Sequence, residues 1–180
     1  METYQIKNIS GKVIFESKAE SKKDCVELAV NTKVSLANAN LKNANLSGIK
    51  LNGAILNSAD LSNVDLVGAK ITSSSLVNVD LTFANLIKSN IILCNLSKSN
   101  LSFSNLSYTF FDGTNLNGCE LHGANISYSS LYNTNLTNSN LTNTYLKGVS
   151  LFESKVDGAI FDDFFNVKEA IKDNSQFVNL

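Results

Sequence analysis

The chain has no proline, no tryptophan and no arginine, and these absences limit the structures and functions open to it. Because proline lacks a backbone N–H, its absence from 180 residues leaves every peptide amide able to pair with a neighbouring strand. All 15 basic residues are lysine, so the bidentate guanidinium that recognises phosphates and guanine is missing. With a formal net charge of −1, we expect no direct nucleic-acid binding.

Residues with catalytic side chains are also few. The single histidine, His122, lies two residues after Glu120, at an outward position of the repeat described below. The simplest interpretation is that it is a solvated surface residue. No phosphate-binding loop, metal-ligand spacing or catalytic motif accompanies it. An enzyme needs several reactive groups that converge in a pocket, so we expect no enzymatic activity, no metal and no cofactor.

Long apolar runs are missing as well. The N-terminal sequence METYQIKNISGK has no apolar signal-peptide core, and no stretch reaches the roughly 20 apolar residues of a membrane span. We therefore expect a cytoplasmic protein that does not enter the membrane. The three cysteines are odd in number, and two of them, Cys94 and Cys119, take small inward positions, which favours buried free thiols.

A five-residue repeat dominates what is present. From Leu36 to Phe161 every fifth residue is apolar, in 26 consecutive pentads with 20 leucines. Positions five apart lie about 140° from each other on an α-helix, and in a continuous strand they alternate between the two faces. The period instead favours a three-residue extended segment whose first and third residues point inward, such as Ala39 and Leu41, followed by a two-residue corner.

The corner composition supports this interpretation. Of the 9 glycines, 8 lie two residues after a central apolar residue, and asparagine takes 7 more of these slots. Both residues accept the positive φ that a type II turn requires at its third residue. Six consecutive corners lack both residue types, and we predict that they use negative φ: Phe83, Lys88, Leu93, Lys98, Phe103 and Tyr108.

Unusual residues recur at intervals of twenty, as Phe83 does with Phe103 and Tyr108 with Tyr128, which predicts four sides per coil with like residues stacked. The units ANLKN, ANLSG, ADLSN and VDLVG make residues 34–161 resemble the pentapeptide repeat family, whose unit is A(D/N)LXX. The resemblance implies an all-β solenoid, a right-handed quadrilateral β-helix, in which the 26 pentads make about 6.5 coils.

The segments outside the repeat predict covers for the two ends of the solenoid, which would otherwise expose apolar core and strand edges. Residues 1–33 predict a β-hairpin turning at Ser10 and Gly11, then a helix with Ser21 as its N-cap. Residues 162–180 predict a short helical cap or tail. Their apolar side chains favour a two-fold homodimer through this end, or else fold back along the rod: Phe164, Phe165, Val167, Ile171 and Phe177.

One candidate site is a bulky, partly apolar belt on an otherwise small and polar rod. We call it the belt: Phe83, Ile87, Lys88, Ile92, Leu93, Phe103, Tyr108 and Tyr128. The belt favours a non-enzymatic scaffold or binding module whose partner is another protein. The alternative is that stacked aromatic side chains only shield the strand ladder.

The second candidate site is an acidic stripe of Asp60, Asp65, Asp80 and Glu120. Some pentapeptide repeat proteins bind DNA gyrase as rod-shaped mimics of duplex DNA, and such mimicry needs carboxylates in place of phosphates. The resemblance thus implies an alternative function, a DNA-mimicking modulator of gyrase or topoisomerase of the quinolone-resistance type. Lysines on neighbouring sides offset the stripe: Lys50, Lys70, Lys88 and Lys98.

Overall fold

The computed structural model describes residues 1–162, and its main feature is parallel pairing between residues twenty positions apart. Bridges join Asn40 to Asp60 and Asp60 to Asp80, and the same register continues along the chain as far as Ile160. The amides of most central residues up to Leu141 donate to a carbonyl nineteen residues later, as from Leu36 to Ile55 at 2.8 Å. The predicted spacing of twenty residues is confirmed.

Four consecutive pentads fill one twenty-residue unit, so the pentads fall into four columns. We call these columns face 1 to face 4, beginning with the pentads centred on Leu36, Leu41, Leu46 and Leu51. Face 4 has the most regular pairing and contains a parallel three-stranded sheet. Its strands, in spatial order, are β3 (Lys50–Asn52), β4 (Lys70–Thr72) and β5 (Asn90–Ile92).

Two strands and a helix precede the repeat. Strand β1 (Glu2–Lys7) pairs with β2 (Val13–Ala19) in an antiparallel hairpin, and helix α1 (Lys22–Asn31) follows. The hydroxyl of Ser21 accepts the amide N–H of Asp24 at 3.1 Å, which satisfies one of the free amides in the first turn of the helix.

Hydrogen bonds join this N-terminal segment to the first repeat unit. The amide of Ile9 donates to the carbonyl of Asn38 at 2.9 Å. From α1, the carboxylate of Glu27 accepts the amide N–H of Lys50 at 2.8 Å. Apolar residues of the helix, including Cys25 and Val26, are buried in one hydrophobic core with the leucines of the repeat. Helix α1 therefore shares a hydrophobic core with the first repeat units, and both the hairpin and the helix are hydrogen-bonded to them.

Every central residue from Leu36 to Val156 is buried, which confirms the inward assignment over that range. Phe161 departs from the prediction and is only half-buried. Most of the small residues two positions before the central ones are buried too, so each pentad contributes two side chains to the core. Burial of a leucine contributes about 1.5–3 kcal/mol, and the repeat multiplies this contribution along the rod.

The corners contradict one prediction. All six corners without glycine or asparagine have positive φ, from 55° at Leu93 to 62° at Lys98. The expectation of negative φ was wrong because a turn hydrogen bond at most corners, as from the amide of Ala84 to the carbonyl of Leu81 at 3.1 Å, fixes the backbone whatever the side chain. The side chain itself points to solvent, so only the left-handed backbone cost of about 1–2 kcal/mol remains.

Buried hydroxyl groups take part in several corners. The Ser99 hydroxyl donates to the carbonyl of Leu76 at 2.7 Å and accepts the amide N–H of Val79 at 3.0 Å, one unit earlier in the chain. The Ser74 hydroxyl bridges Leu51 and Ala54 in the same way. Serine at an inward position therefore completes the hydrogen bonding of the neighbouring corner.

The predicted C-terminal helix and the predicted dimer end lie outside the described residues. The residues concerned are Phe164, Phe165, Val167, Ile171 and Phe177. Within residues 1–162, no helix has the length and apolar character that crossing a membrane requires.

Candidate interaction surface

Two ladders of aromatic rings stand on the corners that bound face 3. At the corner between face 2 and face 3, the rings of Phe83 and Phe103 stack with centroids 5.3 Å apart and an interplanar angle of 11°. The rings of Phe103 and His122 are nearly perpendicular, with centroids 5.3 Å apart and an interplanar angle of 85°. Phe83 is 60% exposed and Phe103 is 52% exposed, so both stacked rings remain in contact with solvent.

At the corner between face 3 and face 4, the rings of Tyr108 and Tyr128 stack with centroids 5.1 Å apart. The ammonium group of Lys147 lies 6.0 Å from the centroid of the Tyr128 ring, at the limit of a cation–π contact. Lys88, which is exposed, precedes Tyr108 by one unit in the same corner column. This corner therefore combines exposed phenol rings with two lysines.

Glycines one unit later make room for these rings. A Cβ on Gly123 would lie 2.7 Å from Cδ1 of Phe103, and one on Gly148 would lie 2.6 Å from Cδ1 of Tyr128. Real Cβ atoms do not approach other atoms so closely, so both glycines are required by packing as well as by their positive φ. The rings are held against the backbone and are not free to rotate into many positions.

The other belt residues lie on the same side of the rod. Ile87 on face 3 and Ile92 on face 4 are half-buried. Leu93 is 64% exposed at the next corner, and its Cδ2 atom packs over Gly113, 2.8 Å from where a Cβ would stand. The structure thus places all eight belt residues on face 3, face 4 or the corners that bound these faces.

Four further exposed aromatic residues were not predicted from the sequence. Phe110, Tyr132 and Phe152 lie on face 4, and Tyr145 lies on face 3. The rings of Tyr132 and Phe152 stack with centroids 5.8 Å apart, and their spacing of twenty residues was a signal that could have found them. A hydrogen bond to the Glu153 carboxylate raises the pKa of the Tyr132 phenol, which links this stack to the following corner.

In the described part of the chain, all exposed aromatic residues lie on faces 3 and 4 or on the corners that bound them. We call this set the aromatic surface: Phe83, Phe103, Tyr108, Phe110, Tyr128, Tyr132, Tyr145 and Phe152. Tyrosine and phenylalanine supply large contact areas with few rotatable bonds. These side chains are therefore unevenly distributed around the repeat.

Faces 1, 2 and 3 carry asparagines whose side chains hydrogen-bond the backbone two residues later. The amide oxygen of Asn95 accepts the N–H of Ser97 at 3.1 Å, and that of Asn115 accepts the N–H of Asn117 at 3.0 Å. This is the Asx-type contact in which a side chain satisfies an amide two residues later. The abundance of asparagine is therefore explained by local backbone satisfaction, a role that the sequence analysis did not assign.

The acidic stripe has the same structural explanation. Asp60 accepts both the amide and the hydroxyl of Ser62, at 2.9 and 2.6 Å, and Asp65 accepts the amide of Val67 at 3.0 Å. Asp80 does the same for Thr82, so these carboxylates occupy positions that asparagine fills elsewhere.

Glu120 belongs to the column of Asp60 and Asp80, but Asn100 separates it from them. Its carboxylate accepts the side-chain amide of Asn140 at 2.8 Å. The column is therefore not a regular series of free negative charges like the phosphates of a duplex.

Among residues 1–162, the histidine and the cysteines do not converge on one site. Nδ1 of His122 lies 2.6 Å from the hydroxyl of Thr142 on the surface of face 2. Burial raises the pKa of the Cys94 thiol to about 11 and that of Cys119 to about 12, so both stay protonated at neutral pH. Within residues 1–162, no group of His, Cys, Asp and Glu side chains is arranged to hold a metal ion.

Comparison with known proteins identifies the repeat. The family model "Pentapeptide repeats" matches in 8 copies, over residues 35–72, 65–102, 94–127 and 129–164. No curated protein gives a significant match. Among solved structures, the pentapeptide repeat protein Rfr23 from the cyanobacterium Cyanothece 51142 is 22% identical, with 76% of this chain and 92% of that chain covered and a TM-score of 0.36.

Two further solved structures are similar. HetL, a pentapeptide repeat protein involved in heterocyst differentiation regulation in Nostoc sp. strain PCC 7120, is 23% identical, covers 69% of this chain and 87% of its own, and has a TM-score of 0.26. Full-length QnrB1, a plasmid-mediated fluoroquinolone resistance protein, is 18% identical, with 74% and 84% covered and a TM-score of 0.37. Since the family model matches more than half of its residues, the chain belongs to the pentapeptide repeat family, whose members fold as right-handed quadrilateral β-helices.

Proposed function

We propose that this protein is a non-enzymatic scaffold that binds a protein partner through the aromatic surface. The observation that carries the proposal is that every exposed aromatic residue of the described chain lies on faces 3 and 4 or their corners. Cores of protein–protein interfaces are enriched in tyrosine and phenylalanine and depleted of charge. Between Phe83 and Phe152 these two faces carry only Lys88, Asp112 and Lys147 as charged side chains.

The rigidity of the surface supports the proposal. The stacks Phe83–Phe103 and Tyr108–Tyr128 hold their rings within 11° and 14° of parallel, and Gly123 lets the first stack lie against the backbone. Binding then needs little further loss of side-chain freedom, which reduces the entropic cost of association. A partner would meet a surface that is already in its bound form.

The proposal includes the complete architecture. Residues 34–161 close into a right-handed quadrilateral β-helix, and residues 1–33 cap its start. The hydrogen bonds from Ile9 and Glu27 to the first unit support the N-terminal part. Three free buried cysteines suit a reducing compartment, so we place the protein in the cytoplasm.

The test uses asparagine substitutions that keep the corner geometry. Asparagine already occupies this slot with positive φ at Asn63, so the variant Phe83→Asn, Phe103→Asn, Tyr108→Asn and Tyr128→Asn should fold. The matched control, Asn78→Ser with Lys98→Asn, changes the same slot at the corner between face 1 and face 2. Crosslinking from the source cell, with quantitative mass spectrometry, is the measurement.

A partner that uses this surface should lose at least tenfold in recovery with the aromatic variant and should be retained by the control. Equal recovery with both variants would mean that the stacks only shield the strand ladder. A gyrase supercoiling assay run beside it addresses DNA mimicry, since inhibition that survives the aromatic substitutions would favour that alternative.

A further inference from the structure

We propose that the protein partner presents an extended acidic segment, which lies along face 3 beside the stacked rings of Tyr108 and Tyr128. The segment carries two carboxylates four residues apart, with an apolar side chain midway between them. This inference rests on the proposed partner binding and adds the chemistry of the partner.

The charge on this part of the surface is positive. Lys88, at the corner between face 3 and face 4, and Lys147, on face 3, are both exposed. Between residues 66 and 152 the chain has three carboxylates, and all of them lie on face 2 or face 4: Asp80, Asp112 and Glu120. Over this range, face 3 and its two corners therefore carry ammonium groups without carboxylates, which favours an anionic ligand.

The two ammonium groups lie on either side of the tyrosine stack. Lys88 precedes Tyr108 by twenty residues, so it lies one unit earlier in the same corner column. At the other end of the stack, the ammonium group of Lys147 lies 6.0 Å from the centroid of the Tyr128 ring. Both tyrosines are exposed, so an apolar side chain of a ligand has access to the two rings. Along the rod the surface therefore offers a cation, an aromatic pair and a second cation.

The middle of face 3 adds hydrogen-bond donors. The side-chain oxygen of Asn105 accepts the amide N–H of Ser107 at 3.2 Å, and that of Asn125 accepts the amide N–H of Ser127 at 3.1 Å. Because these oxygens already bond to the backbone, the asparagine NH2 groups are the donors that face 3 offers to a ligand. An extended segment has free backbone carbonyls, whereas a helix uses most of its carbonyls internally. The pattern therefore favours an extended segment over a helix.

The spacing of the two lysines predicts the spacing of the carboxylates. Lys147 lies next to the corner slot three units after Lys88, which is about 14 Å along the rod because paired strands lie about 4.8 Å apart. In an extended chain, residues four apart point to the same side and lie about 13 Å from each other. The residue midway between them points to that side too, where it meets the stacked tyrosines. The predicted partner sequence is therefore acidic–x–apolar–x–acidic.

Fluorescence anisotropy with labelled nine-residue peptides and the full-length protein tests the proposal. The probe peptide has glutamate at its third and seventh positions and isoleucine at its fifth, in a background of serine and threonine. We expect it to bind at least fivefold more tightly than a peptide with glutamine in place of both glutamates. A peptide with its two glutamates adjacent should also bind at least threefold more weakly than the probe. Added salt should weaken binding of the probe, because it screens contacts between ammonium groups and carboxylates.

The variant Lys88→Glu with Lys147→Glu tests the charges. Glu153 occupies a corner slot with a φ of 59°, so glutamate at residue 88 should fold. This variant should bind the probe at least tenfold more weakly than the wild type. It should bind a peptide with lysine in place of both glutamates at least tenfold more tightly than the wild type does. The matched control, Lys42→Glu with Lys98→Glu, makes the same change at the same two slots of the pentad away from face 3 and should bind the probe normally.

Several results would overturn the proposal. Absence of probe binding at about 1 mM protein contradicts it, and so does equal binding of the glutamate and glutamine peptides. Equal binding of the probe and the peptide with adjacent glutamates would show general attraction to anions instead of a spaced segment. Unchanged binding of the probe to the folded variant Lys88→Glu with Lys147→Glu would exclude these two lysines.

The crosslinking experiment separates this inference from the proposed function. A partner that is lost with the fourfold asparagine variant, but is retained by Lys88→Glu with Lys147→Glu, would support binding through the aromatic surface and contradict the acidic segment. A partner that is retained by both variants would contradict binding through the aromatic surface itself. Loss with both variants, and retention by Lys42→Glu with Lys98→Glu, is the result that we expect.

Discussion

Replacement of Gly123 by alanine should destabilise the protein far more than the same change at Gly68. Both residues have positive φ, of 67° and 64°, so both alanines meet a left-handed backbone cost of about 1–2 kcal/mol. At Gly68 nothing lies within 4 Å of the new Cβ, whereas at Gly123 the Phe103 ring is 2.7 Å away. Displacing that ring adds about 1–3 kcal/mol of overpacking and disturbs its stack on Phe83.

We therefore expect the free energy of unfolding to fall by about 2–5 kcal/mol in Gly123→Ala and by about 1–2 kcal/mol in Gly68→Ala. Chemical denaturation of both variants measures the difference. In a double-mutant cycle, Phe103→Ala should remove most of the extra cost of Gly123→Ala, with a coupling of about 1–3 kcal/mol. Equal losses for the two glycine variants, or a coupling near zero, would refute the close approach of ring and glycine.

Further predictions concern the core and its hydrogen bonds. Leu96→Ala should cost about 2–5 kcal/mol in a denaturation experiment, because Leu96 is fully buried, and an unchanged midpoint would contradict the inward assignment. Ser99→Ala should lower the free energy of unfolding by about 1–3 kcal/mol, because two backbone groups lose their hydrogen-bond partner. Ser139→Ala should lower it less, because the Ser139 hydroxyl bonds only to the carbonyl of its own turn. Burial raises the pKa of the Cys94 thiol to about 11 and that of the Cys119 thiol to about 12, whereas in the unfolded chain both ionise near 9.0. Between pH 9 and pH 11 the unfolded state therefore loses protons that the folded state keeps, so the stability of the fold should fall. The Cys94→Ser, Cys119→Ser variant should lose less stability over that interval in urea denaturation, and an equal loss would exclude the thiols as the cause.

The period of five was enough to predict the core. A strict inward position every fifth residue, a small residue two before it and no proline can be satisfied together only by short extended segments and regular corners. The recurrence of Phe83 with Phe103 also gave the unit of twenty residues. Steric packing restricts which residues fit at these positions, so the pattern can be recognised in the sequence.

The outward positions were harder to predict because solvent tolerates many side chains. The φ of Leu93 was predicted with the wrong sign. The residue type at a corner shows only which φ that residue prefers, whereas the hydrogen bonds of the neighbouring units determine the φ it adopts. The Asx-type role of Asn95 is local and was not recognised. Phe110 was missed because it takes a slot that elsewhere often holds asparagine or aspartate, whereas Tyr132 and Phe152 could have been found from their spacing of twenty residues.

Partner binding through the aromatic surface is best tested by quantitative crosslinking of three proteins. These are the wild type, the control variant at Asn78 and Lys98, and the variant with asparagine at four aromatic positions: Phe83, Phe103, Tyr108 and Tyr128. We expect a protein partner that is recovered with the wild type and the control and whose recovery is reduced at least tenfold with the aromatic variant. Undiminished recovery of that same partner with the aromatic variant, folded and at equal concentration, would contradict it.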